Sequence, residues 1–201
     1  VINIVGIGPG SRDYLTPLGL QQIMQSDWLI GAERQLALFP DFTGQTRLLD
    51  SKLSDLIGWL QLNQPQVITV LASGDPMLYG IGKYLSRQLG NQQVNIVSGI
   101  SAVQYLFSRI GLDMNDLYLT SSHGKTPDFD FIFQHKKVAL VTDTVIGPYQ
   151  IAQQIQQRHL TRTLIIGENL SYPNERISIL QPEQVAEQYD LNVVVILDER
   201  Q

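Results

Sequence analysis

The chain has 201 residues, enough to bury a core as one domain or as two small ones, and its 43% hydrophobic and 16% charged residues suit a globular protein rather than a disordered one. A net charge of −5 lacks the basic excess of a nucleic-acid binder, although it leaves room for a local basic pocket. There is no cysteine, which excludes disulfides, thiolate metal sites and a cysteine nucleophile; no apolar run approaches the ~20 residues of a bilayer span, and the start lacks a secretion-signal pattern, so no membrane partner and a cytoplasmic location are expected.

In chain order, residues 2–5 form an apolar strand that runs into GIGPGSRDYLTP. Residues 16–25 follow as a helix, with Leu18, Leu20, Ile23 and Met24 apolar, Thr16 as its cap and Pro17 in its first turn. A strand is predicted at 27–30, a helix at 51–61 opened by Ser51, and a strand at 67–71 that leads into a helix starting around Met77. A strand at 94–97 and a helix at 101–110, opened by Ser101, complete this half. The polar segment GLDMNDL, residues 111–117, is punctuated by Gly111 and Asn115 and predicts a division into lobes at 1–112 and 116–201.

Beyond it lie a new apolar run at Tyr118 and strands at 138–142, 163–166, 177–180 and 193–197. The glutamine-rich QIAQQIQQRH reads as an amphipathic helix with Ile151, Ala152 and Ile155 inward. Runs of four to six Val, Ile and Leu bounded by glycine or polar residues suit strands covered on both faces. The predicted class is α/β, with a mostly parallel sheet and helices in the N-terminal lobe and a mixed sheet with helices in the C-terminal lobe. No internal repeat is present.

Three strand ends carry glycine. The first does not make a dinucleotide fingerprint: Gly6 and Gly8 fit G-x-G-x-x-G, but Ser11 takes the third place, Pro9 removes an amide donor, and no acidic residue closes the second strand. A tight turn without a ligand and a rigid wall lining a cleft both remain open. In VITVLASGDPMLYGIG, Gly74 allows close backbone approach to a ligand, and Asp75 either caps the following helix or shapes a ligand loop. Gly80 and Gly82 early in a helix cost about 1 kcal/mol each against alanine, which points to tight packing there. IVSGISAVQYLFSRIGL again ends a strand in Ser-Gly before a helix. If the three strands are adjacent and parallel, Gly6–Gly10, Gly74–Asp75 and Ser98–Ser101 converge on one crevice.

Together VGIGPGSRDYLT, the helix into SDWLIGAERQL, ASGDPMLYGIG and SGISAVQYLFSRIGL resemble the tetrapyrrole (corrin/porphyrin) methylase family, S-adenosylmethionine-dependent methyltransferases built from two α/β lobes. GENLSYPNERI, with GAERQL, looks like the branch that methylates carbon 5 of a corrin precursor, with or without cobalt. One departure is Ser98-Gly99, where the family often has Pro-Gly. No second Rossmann motif of a fused carbon-15 methylase fits the chain, so the resemblance is to a stand-alone carbon-5 unit paired with a separate carbon-15 methylase/decarboxylase.

The resemblance implies a cofactor, S-adenosylmethionine, between the lobes. Gly74, Asp75, Pro76, Met77, Tyr79 and Gly80 border it, with Ser101 and Ala102 on a neighbouring wall and Thr142, Asp143, Gly167, Glu168, Asn169 and Leu170 from the second lobe. Gly8, Pro9, Gly10 and Arg12 face a corrin substrate. Because that substrate carries many carboxylates, a basic rim is required, with Arg12, Arg34, Lys83, Arg109, Lys125 and Lys136 as candidates. No triad or metal-ligand spacing appears; His123, in SSHGK, is kept as a substrate contact or proton acceptor. A homodimer is expected, with Phe129, Phe131 and Ile132 offered as exposed apolar residues. The alternatives are a family member acting at another ring position, on RNA or on a protein, and a ligand-binding module without catalysis.

Overall fold

The computed structural model describes residues 1–49 and 52–199. In chain order the elements are β1 (Ile2–Gly6), α1 (Pro17–Met24), β2 (Trp28–Gly31), α2 (Glu33–Leu36), β3 (Gln45–Leu48), α3 (Leu53–Leu62), β4 (Ile68–Ala72), α4 (Gly82–Leu89), β5 (Val94–Val97), α5 (Ala102–Ile110), β6 (Tyr118–Ser121), α6 (Phe129–Ile132), β7 (Lys137–Val141), α7 (Pro148–Gln157), β8 (Arg162–Glu168), β9 (Arg176–Leu180) and β10 (Asn192–Asp198). Two compact units result, one over Val1–Ser101 and one beginning at Ala102. The units part before α5, whereas the polar segment at 111–117 lies after it.

The first unit is a parallel sheet in the order β3-β2-β4-β1-β5. Its two faces follow the period-2 alternation of each strand. Ile2, Ile4, Ile30, Ile68 and Val70 pack with Leu56 and Leu60 of α3 and Leu85 and Leu89 of α4. Val5, Ile7, Leu29, Leu71 and Val97 pack with Ile23 of α1 and with Phe39. Thr16 caps α1 by accepting from the Gly19 amide at 3.1 Å, with Pro17 at the first helical position, as the sequence predicts. Ser51, expected to open the next helix, lies outside the described residues.

One row of this apolar sheet is polar. Asn3 is paired in register with Thr69 on one side and Asn95 on the other. Asn95 donates to Asn3 Oδ1 at 2.9 Å, Asn3 donates to Thr69 Oγ1 at 3.4 Å, and Thr69 meets Ser26 Oγ at 2.6 Å, which reaches the Gln22 carbonyl. Asn3, Thr69 and Ser26 are buried, so a one-residue slip would strand them among aliphatic side chains, and the row fixes the register of β1 against its neighbours.

The second unit is a mixed sheet in the order β6-β7-β10-β8-β9, in which only β6 and β7 run parallel. Val138, Leu140, Leu164, Ile166, Val194 and Ile196 pack against Ile151, Ala152 and Ile155 of α7, the helix face read from the sequence. Phe129 and Ile132 belong to this core, at 8% and 2% exposure, so of the three residues offered as an apolar surface only Phe131 is exposed. Arg162, at the start of β8, is also buried: it donates to the Phe133 carbonyl at 2.5 Å and forms an ion pair with Asp198, its register partner on β10.

Candidate active site

Because β1 lies between β4 and β5 and all three are parallel, their carboxyl ends release the three glycine loops on one edge. The helices that follow β1 and β4 cover opposite faces, which makes the β1/β4 edge the kind of switch point where open α/β sheets take ligands. There the backbones close into a seam. Gly8 and Gly74 exchange two hydrogen bonds, 3.3 and 2.8 Å, with both glycines in the left-handed region at φ +81° and +63°. A β-carbon on Gly6 would stand 2.6 Å from the Gly74 oxygen and the Gly99 nitrogen, and one on Gly99 would overlap the Gly74 oxygen.

Asp75 braces the seam. Its Oδ1 accepts from the Met77 amide at 2.8 Å and its Oδ2 from the Gly99 amide at 3.1 Å, so one carboxylate ties the second loop to the third. It is not the cap of α4, which begins at Gly82 rather than around Met77. The delay has a local cause: Tyr79 adopts φ +53°, the Gly82 amide bonds the Pro76 carbonyl at 2.9 Å, and β-carbons on Gly80 or Gly82 would sit 2.7 and 2.6 Å from that oxygen. The glycines expected inside a helix instead let a turn wrap its own backbone. Met77 and Tyr79 are about half exposed on that turn, and Ser101 is buried beyond Gly99.

Gly8, Pro9 and Gly10 are buried as part of the seam. Arg12 stands beside them, with its two Nη atoms on the two oxygens of Asp41 at 2.7 and 3.0 Å and its guanidinium over the Phe39 ring. The hydrogen-bonded pair holds the Arg12 pKa up and the Asp41 carboxyl below its ordinary range. Arg12 therefore arrives with a counter-ion already in place.

In the second unit the carboxyl ends of β6, β7 and β8 share an edge with the start of β10. Thr142 Oγ1 reaches Asn192, 2.7 Å from Oδ1 and 2.9 Å from the carbonyl. Asp143 accepts from Val145 and Ile146 through Oδ1 and from Gly124 through Oδ2, at 2.8–3.0 Å. Those backbone bonds, Ile146 first, then Gly124 and Val145, hold its carboxyl below the ordinary value, with a smaller contribution from the charge of His123. His123 itself is exposed, and its amide bonds Ser121 Oγ at 3.0 Å.

Glu168 is buried with both oxygens engaged, by Arg176 at 2.6 and 2.9 Å and by the Asp190 amide at 3.2 Å. Asn169, at φ +46°, bonds Asp190 Oδ2, and Leu170 is buried against Gly167, where a β-carbon would meet it at 2.8 Å. The loop is clamped by Glu175, a residue the motif GENLSYPNERI contains but to which the sequence reading gave no role. It accepts from the Tyr105 hydroxyl and the Ser171 amide at 2.6 Å and from Arg109 at 3.0 Å. Gln35 and Asn192 were also missed: each has a local partner, the Ala32 amide or the Asp190 carbonyl, but Ser73 and Thr142 reach them only through the pairing of strands distant in sequence. Among the described residues no three His, Asp or Glu side chains gather as a metal site, and no helix is long and apolar enough to cross a membrane.

The paired α/β units are those of a class of solved methyltransferases. A cobalamin-biosynthesis precorrin-6Y methylase from Archaeoglobus fulgidus matches with TM-score 0.79 at 21% identity, covering 99% of this chain and 98% of the other. A uroporphyrin-III C-methyltransferase from Thermus thermophilus, complexed with S-adenosylhomocysteine, matches with TM-score 0.78 at 22% identity over 98% and 97%. In sequence, residues 1–185 match the model of the tetrapyrrole (corrin/porphyrin) methylases, and the chain belongs to that family. The cobalt-precorrin-7 C(5)-methyltransferase of Salmonella typhimurium is 46% identical to it over 201 residues, the full length of both.

Proposed function

We propose that the protein is an S-adenosylmethionine-dependent methyltransferase that methylates carbon 5 of cobalt-precorrin-7 or its cobalt-free equivalent. The observation that carries this reading is the 46% identity with the Salmonella typhimurium enzyme over the whole of both chains. The glycine seam fits such a cofactor: β-carbons are excluded at Gly6 and Gly99, so at those two positions backbone alone meets backbone on the edge of the first unit's sheet. The cofactor supplies an already activated methyl group. The chain's task is alignment and exclusion of water.

In the first unit Gly74, Asp75, Pro76, Met77, Tyr79, Gly80 and Ser101 are assigned to the cofactor, and Gly8, Pro9, Gly10 and Arg12 to the substrate. In the second unit Ala102, Thr142, Asp143, Gly167, Glu168, Asn169 and Leu170 are assigned to the cofactor. Asp75, Asp143 and Glu168 act there by holding loops, since their carboxylate oxygens are taken by the chain's own donors. His123, exposed at the end of β6, is the candidate proton acceptor. A cytoplasmic location, a homodimer and a separate carbon-15 methylase/decarboxylase acting on the same intermediate complete the reading.

Calorimetry with S-adenosylhomocysteine, followed by turnover of the reduced corrin precursor with labelled donor, tests it. Binding and label at carbon 5 are expected. No binding overturns the methyltransferase reading; binding without turnover converts the protein into a cofactor sensor.

A further inference from the structure

Beside the seam, β2 and β4 are parallel neighbours that end on the same edge. The chain leaving β2 carries Arg34 and Gln35 in α2, and the chain leaving β4 carries Ser73, next to Gly74. Gln35 is buried, and its Oε1 accepts from the Ala32 amide at 2.8 Å, which fixes the amide so that Nε2 donates to Ser73 Oγ at 2.9 Å. Arg34 Nη2 donates to the same oxygen at 3.2 Å. A hydroxyl has two acceptor sites and one hydrogen, so two incoming donors direct the Ser73 hydrogen to a third group. Ser73 and Arg34 are both exposed. An O–H donor and a guanidinium thus stand together on the ligand edge, and both recognise oxyanions; the planar guanidinium suits a carboxylate in particular.

We propose that Arg34 and Ser73, oriented by Gln35, form a subsite for one carboxylate side chain of the tetrapyrrole substrate; this rests on the reading given under Proposed function. A protein of net charge −5 needs such a local cation to hold a polycarboxylate.

The test compares binding of cobyrinic acid, whose side chains are carboxylates, with cobinamide, whose corresponding groups are amides, alongside S-adenosylhomocysteine. Arg34→Gln is expected to weaken cobyrinic acid by about tenfold and Ser73→Ala by about threefold, as for loss of a charged and a neutral hydrogen bond. Ser73→Thr restores affinity. Gln35→Glu keeps the acceptor for Ala32 but turns the Ser73 hydrogen inward, and is expected to lower cobyrinic acid affinity alone. Cobinamide and S-adenosylhomocysteine are expected to bind all variants as the parent protein does. In turnover, Arg34→Gln raises KM with little change in kcat. Parent-like cobyrinic acid binding by both Arg34→Gln and Ser73→Ala overturns the subsite alone. A parent protein that binds S-adenosylhomocysteine but neither corrin overturns the corrin reading, and the subsite with it.

Discussion

Asp75 and Asp143 show the same device in two settings. Each follows a strand, β4 or β7; each uses one oxygen on the amide two residues ahead and the other on a glycine amide of a neighbouring loop, Gly99 or Gly124. A carboxylate placed this way sets the spacing of two loops at once. Replacing Asp75 by Ala frees both loops and is expected to weaken S-adenosylhomocysteine binding by about 1–3 kcal/mol, with Asn intermediate because its amide keeps one acceptor. Calorimetry on variants with parent-like thermal unfolding measures this; unchanged affinity in Asp75→Ala would show that the brace does not serve the ligand loops. Half of the device was legible in the sequence. The bond to Met77 is local, but Gly99 is 24 residues away, and only the pairing of β1 with both β4 and β5 brings it near.

Among the elements, the glycine seam separates positions that tolerate a side chain from those that do not. Gly99→Ala forces a methyl into the Gly74 carbonyl and is expected to destabilise the first unit by about 3 kcal/mol or more. Gly58, in the exposed interior of α3, has nothing within 4 Å of a built β-carbon, so Gly58→Ala is expected to stabilise by about 0.5–1 kcal/mol. Chemical denaturation of the two variants reads opposite signs, and a neutral Gly99→Ala would remove the seam from the argument. The buried strands were legible as aliphatic runs because both of their faces are covered. β3 was not: QTRL is a largely exposed strand at the sheet edge and carries no apolar run. The start of α4 was misread because the 3.6-residue pattern does not reveal that Pro76 must be wrapped by backbone before the helix begins.

At the scale of the whole chain, the change from a parallel to a mixed sheet was legible in the change of texture after residue 117, but the membership of α5 was not. Tyr105 and Leu106 face the second unit, one bonded to Glu175 and the other near Gly167. These contacts give the second unit a titratable clamp. Burial pushes the Glu175 carboxyl up, yet the Tyr105 hydroxyl, the Ser171 amide and Arg109 outweigh it and hold the group below its ordinary value of 4.5. A carboxylate depressed in the folded state contributes stability that is fully present above its unfolded pKa and lost as pH falls through its folded one. Asp143, depressed by its backbone donors, adds to the same loss from an ordinary value of 3.8. Stability is therefore expected to be level from neutral pH down to about 5 and to fall below that. Glu175→Gln removes one titrating group, so the variant is expected to be less stable at pH 7 and to lose less of that stability between about pH 5 and 3. Urea unfolding at stepped pH, followed by far-ultraviolet circular dichroism, measures both effects; parallel curves for parent and variant would mean that the clamp does not sense protons.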